Sequence, residues 1–232
     1  MPALTPLEVE ALRLSLRVGV VSVAASLPFG LAIAWLLARR RFPGKILLDG
    51  LVHLPLVLPP VVVGYALLVL FGRHGPIGGW LYAAFGIGFA FDWKGAALAA
   101  AVMAFPLMVR AMRLSLELVD RRLEAAARTL GAGRLRVFLT ITVPLMAPGI
   151  LTGMILGFAR SISEFGATIT FVSNIPGETR TLPLALYALT QSPGGEAEAW
   201  RLALLSVLLA MAALVASELL ARRLDRRIRG SP

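Results

Sequence analysis

The sequence of 232 residues has no cysteine, only two histidines and only two lysines. Without cysteine there is no disulfide framework, thiolate metal site or cysteine nucleophile, and His53 and His74 are too few for most metal cages. Neither Lys45 nor Lys94 follows the glycine pattern of a phosphate-binding loop. No nucleophile–base set is apparent either. We therefore predict that the chain is not an enzyme and has no catalytic residues, no metal and no cofactor of its own.

Charge is also scarce, at 16% of residues against about 25% in soluble proteins. Hydrophobic residues make up 58%, and the mean hydropathy is +0.80. This composition excludes a disordered chain, and a single soluble core of this size could not bury so much apolar surface. The sequence therefore predicts an all-α integral membrane protein.

Five apolar runs are long enough to cross a bilayer, since each crossing helix needs about 20 residues. We predict one transmembrane domain, 1–232, with spans at about 14–38, 46–71, 95–116, 149–172 and 200–221. The second span contains Pro55, Pro59 and Pro60, which predict a kink or a locally unwound turn. The apolar stretch 82–91 is about half a spanning length and suits a re-entrant or interfacial segment.

The basic residues predict the orientation. With these spans, 16 of the 23 lysines and arginines lie on one side, in segments 39–45, 110–136 and 222–229. The positive-inside rule puts that side in the cytoplasm, the N-terminus outside and the C-terminus inside. Segment 1–10 has no basic residue, so no cleavable signal peptide is expected. The net charge of +10 then mostly records topology, and segment 222–229 is expected to anchor at the cytoplasmic lipid headgroups rather than to bind nucleic acid.

The longest cytoplasmic segment is the loop 117–148. Asp120 suits a helix N-cap, and Gly131 and Gly133 predict the end of that helix. Glu124 and Arg128 are four residues apart and are expected to pair. Apolar, mostly small residues share one helix face: Leu123, Ala126, Ala127 and Leu130. This face either docks into a groove of another protein or contacts only its own chain.

The loop resembles the coupling loop of ATP-binding-cassette importer permeases. In that family a Glu-Ala-Ala run is followed by three residues, a glycine, nine residues and Ile-x-Leu-Pro. Gly131, Ile141 and Pro144 stand at the family's distances. The Glu-Ala-Ala positions fall on 125–127, so Glu124 stands one position early and its role stays open. The resemblance implies that the loop contacts a separate cytoplasmic ATPase through Glu124, Ala125, Ala126, Ala127, Leu130, Gly131 and Pro144.

Four further segments are similar to molybdate importer permeases: 53–65, 101–110, 127–133 and 163–181. Sulfate importer permeases share a version of the last one. The resemblance implies a bacterial inner-membrane permease that imports molybdate as a homodimer. It also implies a soluble molybdate-binding protein outside the membrane and an ATPase subunit that uses ATP and Mg²⁺. Sulfate, tungstate or another oxyanion remains an alternative substrate.

A secondary transporter or a channel is the other class that remains. Such proteins are usually larger and built from repeats, or carry more ionisable groups inside the membrane. The sequence has no internal repeat.

The predicted fourth span carries two charges, Arg160 and Glu164, four residues apart. An isolated charge at the bilayer centre costs about 2.5–3.5 kcal/mol on insertion scales, so the two are expected to pair. They either set the electrostatics of an anion pathway or form a structural ion pair. Ser161, Ser163 and Thr168 are candidate donors to an oxyanion nearby.

The same span has small residues at intervals of four: Gly149, Gly153, Gly157 and Ser161. Such a ridge permits close helix packing. Its partner is either another helix of this chain or a second copy across a two-fold axis.

Overall fold

The structure is a computed structural model that describes residues 4–229. Within that range it contains helices and no strand, as predicted. A π-helical turn, Phe138–Thr142, joins α7 to α8. The helices are α1 Pro6–Arg39, α2 Lys45–Val57, α3 Pro60–Phe71, α4 Pro76–Phe85, α5 Trp93–Leu118, α6 Arg121–Thr129, α7 Arg134–Val137, α8 Val143–Leu145, α9 Ala147–Ile162, α10 Gly166–Val172, α11 Leu182–Thr190 and α12 Glu196–Arg229.

Helix α1 begins at a capping box. The Thr5 hydroxyl accepts from the Glu8 N–H, and the Glu8 carboxylate accepts from the Thr5 N–H, which satisfies backbone donors that the first turn leaves unpaired. Arg201 at the start of α12 lies 3.1 Å from the same carboxylate. Helix α1 contains all of the predicted first span, and α5 contains the third.

By length and composition, α1 and α5 can each cross a membrane, and the described residues offer up to four spans if each bent pair is one span. One pair, α2 and α3, is bent by 115° where Leu58 and Pro59 interrupt the second predicted span. Because proline lacks an N–H and clashes with the preceding turn, this bend confirms the predicted kink. The other pair joins segment 134–145 to α9 at 68°.

The predicted fourth span, 149–172, is not one continuous helix. It is divided between α9 and α10 by residues 163–165. The Glu164 carboxylate accepts from the Ala167 N–H at 2.8 Å, so it caps α10 instead of lying on the side of an unbroken helix. Stretch 82–91 is likewise no span, since it runs from the end of ten-residue α4 into non-helical residues.

The core is built on α5, which packs against α1 and α9. Gly149, Gly153 and Gly157 of α9 face α5: a Cβ on Gly157 would lie 2.7 Å from the Met108 side chain. The Ser22 hydroxyl of α1 donates to that of Ser161 at 2.8 Å. The small-residue ridge therefore packs within this chain, which decides between the two predicted partners.

Helix α3 packs against α10 close to both helix interruptions. A Cβ on Gly64 would lie 2.5 Å from the Ala167 carbonyl oxygen, and a Cβ on Gly166 would lie 2.8 Å from Pro60 Cβ. The bend of the second predicted span and the break of the fourth therefore lie in direct contact.

We predict that Gly64→Ala lowers the free energy of unfolding by about 1–3 kcal/mol, because the new methyl group meets backbone that cannot move aside. The thermal unfolding midpoint in detergent measures this. The control is Gly50→Ala, also within a helix, where no atom lies within 4 Å of the added Cβ and alanine favours the helix. Equal midpoints for the two variants would contradict the close packing of α3 on α10.

Candidate functional site

Helix α6 begins at the predicted Asp120 cap and ends just before Gly131, as the sequence predicts. The Asp120 carboxylate accepts from the Arg122 N–H at 2.9 Å. After Thr129 the chain turns at Gly131, whose φ of +86° lies in the left-handed region that glycine adopts without strain. Gly133 does not end this helix but precedes α7. The resulting short, capped helix stands apart from the long helices.

Glu124 pairs with Arg39 rather than with Arg128, which corrects the predicted local pair. The Arg39 guanidinium lies 3.2 Å from the Glu124 carboxylate and also donates to the Val119 carbonyl. The Thr142 hydroxyl donates to the same carboxylate at 2.9 Å. A surface pair with Arg128 would gain little in water, whereas this network is largely shielded from solvent. It ties α6 to the end of α1 and to the π-helical turn.

The outer face of α6 is uncovered, since none of its residues is buried. Of the seven residues predicted to contact an ATPase, Glu124 and Ala127 are half-buried, and the other five are exposed, Leu130 at 89%. Further exposed leucines lie on this segment: Leu123, Leu135 and Leu139. Exposed apolar patches of this kind mark protein–protein contacts.

Arg160 and Glu164 form the predicted ion pair, with 2.6 Å between nitrogen and oxygen. The Glu164 side chain is 2% exposed and that of Arg160 is 24% exposed. One Glu164 oxygen faces the arginine while the other accepts from the backbone of α10. The pair therefore bridges the break between α9 and α10 and leaves part of the Arg160 side chain accessible.

The three candidate hydroxyls have different surroundings. Ser161 is buried in its hydrogen bond with Ser22, and Thr168 is buried within the α10 packing. Ser163 is exposed and donates to the Arg160 carbonyl at 3.1 Å. Only Ser163 and Arg160, among the five predicted pathway residues, reach the surface of this chain.

Residues that sequence reasoning missed are Arg39, Thr142 and Ser22. Each makes its contact with a residue distant in sequence: Arg39 and Glu124 are 85 positions apart, and Ser22 and Ser161 are 139 apart. In the sequence, Arg39 stands out only as part of the basic turn 39–45. Within residues 4–229 no cluster of three or more His, Asp or Glu could hold a metal ion.

Residues 26–230 match the family described as "Binding-protein-dependent transport system inner membrane component". The chain belongs to this family. It is therefore a multi-pass protein of the bacterial inner membrane and the permease subunit of a binding-protein-dependent transporter.

Three proteins illustrate the likeness. The molybdenum transport system permease protein ModB of Escherichia coli K12 is 66% identical over 94% of this chain and 96% of its own. The sulfate transport system permease protein CysT of the same organism is 37% identical over 97% of this chain and 80% of its own. The crystal structure of a bacterial ABC transporter that imports alginate has a TM-score of 0.74 at 14% identity, covering 95% of this chain and 80% of that one. The last likeness shows the fold alone, that of an ABC importer permease.

We predict that Glu124→Gln makes the backbone amides of α6 exchange about fivefold faster. The variant replaces charge-assisted hydrogen bonds by neutral ones that are weaker by about 1 kcal/mol. Hydrogen exchange of segment 121–129, followed by mass spectrometry, measures the change. Glu117→Gln is the control, because Glu117 pairs with Arg113 on the exposed side of α5. Unchanged exchange in Glu124→Gln would contradict the anchoring role.

Proposed function

We propose that the chain is the permease subunit of an ATP-driven molybdate importer. The observation that carries this is the 66% identity to the E. coli molybdenum permease over nearly its whole length. The sulfate permease of the same organism is 37% identical, which favours molybdate over sulfate. Tungstate has nearly the same charge and size as molybdate and is an alternative cargo.

The proposed topology has five crossings: α1, α2–α3, α5, α9–α10 and α12. The N-terminus is outside and the C-terminus inside, so α6, α7 and α8 lie in the cytoplasm. Two features support this arrangement. The basic residues concentrate on that side, and the capped helix α6 displays its apolar face away from the rest of the chain.

In this proposal a separate ATPase receives the outer face of α6 in a cleft and hydrolyses ATP with Mg²⁺. Movement of α6 reaches α1 directly through the Arg39–Glu124 pair. It reaches α9 through Thr142 and the bend that joins segment 134–145 to α9. The glycines of α9 lie directly against the backbone and side chains of α5, so in this proposal α1, α5 and α9 move together.

The proposed pathway passes the break at residues 163–165. The positive charge of the partly exposed Arg160 side chain attracts a dianion, and Ser163 offers a hydroxyl beside it. Glu164 limits the net attraction, so that the anion passes without being trapped. Ser161 and Thr168 serve the pathway indirectly by fixing the helices around it. A second copy of this chain completes the pathway, and a binding protein delivers molybdate at the outer loops.

Reconstitution tests the proposal. The chain is placed in liposomes with its cognate ATPase and binding protein, and uptake of labelled molybdate is followed with and without ATP. We expect uptake only when all components and ATP are present. Uptake by this chain alone would indicate a channel or a secondary transporter, and ATP-driven uptake of sulfate but not molybdate would overturn the substrate.

We predict that Arg160→Gln lowers molybdate uptake about tenfold, the effect of losing about 1.4 kcal/mol of favourable interaction. This single variant also leaves Glu164 buried without its partner, which destabilises the fold. The double variant Arg160→Gln/Glu164→Gln removes both charges and restores neutrality. If Arg160 acts in the pathway, the double variant stays impaired at normal expression. Recovery of uptake in the double variant would assign the pair a structural role only.

We predict that Gly131→Asp abolishes ATP-dependent uptake while the chain still inserts and remains folded. The added carboxylate has space within the chain, since no atom beyond the two neighbouring residues lies within 4 Å of a Cβ built on Gly131. It also stands beside the surface proposed to meet the ATPase. Gly44→Asp is the matched control: its φ is +83° against +86° for Gly131, and its surroundings are equally open. Normal uptake by Gly131→Asp, or equal loss in both variants, would contradict docking at Gly131.

A further inference from the structure

A cleft of about 800 Å³ lies between the end of α1 and the segment from α6 to the π-helical turn. The cleft opens on the side of α6 that faces α1, and it shares Glu124, Ala125 and Leu135 with the segment proposed to meet the ATPase. Its lining consists of a charged group and an apolar group.

The charged group is strongly basic. Five arginines line the cleft against one acidic residue, Glu124. Arg39 is the arginine that pairs with Glu124. No ion pair with a described residue engages the other four, which are all exposed at the side chains: Arg40, Arg121, Arg128 and Arg134. The cleft therefore carries a net charge of about +4 that no described part of the chain neutralises.

The apolar group forms a wall along α1. Ala32, Trp35 and Leu36 recur at helical spacing on one face, and Phe138 and Val137 stand opposite. The Arg40 guanidinium lies 5.1 Å above the Trp35 ring, so charge and apolar surface meet at the cleft mouth. Because α1 spans from this mouth into the predicted bilayer, the wall continues at the depth of lipid chains.

One buried donor also lacks a partner. The Arg39 side chain is 9% exposed and lines the cleft, yet its Nε has no hydrogen-bond acceptor among the described residues. A buried charged donor left in this state is costly. An acceptor supplied by a bound molecule would remove that cost.

We propose that the cleft binds an anionic phospholipid. Its phosphate is held by the arginines, whose planar donors match phosphate oxygens, and its acyl chain lies on the wall formed by Ala32, Trp35 and Leu36. Basic pockets between helices at the membrane surface bind anionic headgroups in this way. A soluble phosphate would contact only the arginines and would leave the apolar wall exposed to solvent. The bound lipid bridges α1 and α6 and stabilises the position of α6.

The proposal concerns the chain and its membrane, and it holds for any transported anion. Its test uses the purified full-length chain without ATPase, so that failure of the lipid site and failure of the transport function are separate outcomes. The readouts are native mass spectrometry for retained lipid and the thermal unfolding midpoint. The probes are phosphatidylglycerol, phosphatidylcholine and the soluble headgroup analogue glycerol phosphate.

We expect the chain to retain phosphatidylglycerol and to be stabilised by it, but not by phosphatidylcholine or glycerol phosphate. Arg40→Gln/Arg134→Gln is expected to weaken phosphatidylglycerol binding about tenfold to thirtyfold, since each arginine near anionic lipid contributes about 1 kcal/mol. The matched control is Arg41→Gln/Arg136→Gln, which removes the same charge at exposed neighbours that do not line the cleft.

Ala32→Phe provides a second test that leaves the charge unchanged. Ala32 is exposed on the cleft wall, so the larger side chain fills the acyl position without disturbing the core. We expect it to reduce phosphatidylglycerol retention while the midpoint in phosphatidylcholine stays that of the unmodified chain. Equal loss in the two arginine pairs, equal retention of both lipids, or full stabilisation by glycerol phosphate would overturn the proposal.

Discussion

The contact between α5 and α9 is the constraint on which the rest of the structure depends. In a bilayer, lipid tails are as apolar as leucine, so helices associate through close packing rather than through the hydrophobic effect. Gly153 and Gly157 bring α9 against Met108 of α5, and the bond from Ser22 to Ser161 adds α1 to the same unit. These three helices form the fixed frame against which the bent segments pack.

The interruptions in the helices are explained by the contacts that they make with this frame. Non-helical backbone inside a membrane persists only where protein or water satisfies its polar groups. At residues 163–165 the Ser163 and Glu164 N–H groups donate to the Ala159 and Ser161 carbonyls, while the Glu164 carboxylate accepts from the Ala167 N–H of α10 and faces Arg160. This frame carries the partly exposed Arg160 at the break, and the Thr142–Glu124 hydrogen bond connects the segment that precedes α9 to α6. In the proposed function, coupling and pathway residues that are far apart in sequence are therefore connected through the same three helices.

How much of this could be predicted from sequence depends on the distance over which each interaction acts. The helical class, the Asp120 cap, the bend at the prolines and the Arg160–Glu164 pair are local, and all were predictable from spacing. The partner of Glu124 was not predictable in this way. Helical spacing identifies only neighbours such as Arg128, whereas Arg39 comes close to Glu124 only in the folded chain. Hydropathy likewise predicted an unbroken fourth span, since it does not register that a carboxylate can cap the following helix. Family resemblance predicted the coupling surface, and the exposure of Leu130 agrees with that role.

The central claim is that the outer face of α6 is covered by a separate ATPase, and the absence of cysteine makes it directly measurable. A single Leu130→Cys substitution places one thiol on that face, and its reaction rate with a water-soluble maleimide reports its exposure. We expect rapid labelling of the chain alone and strong protection in the complex with its ATPase, while Arg13→Cys near the opposite end of α1 labels equally in both. Equal labelling of Leu130→Cys with and without the ATPase would contradict the account.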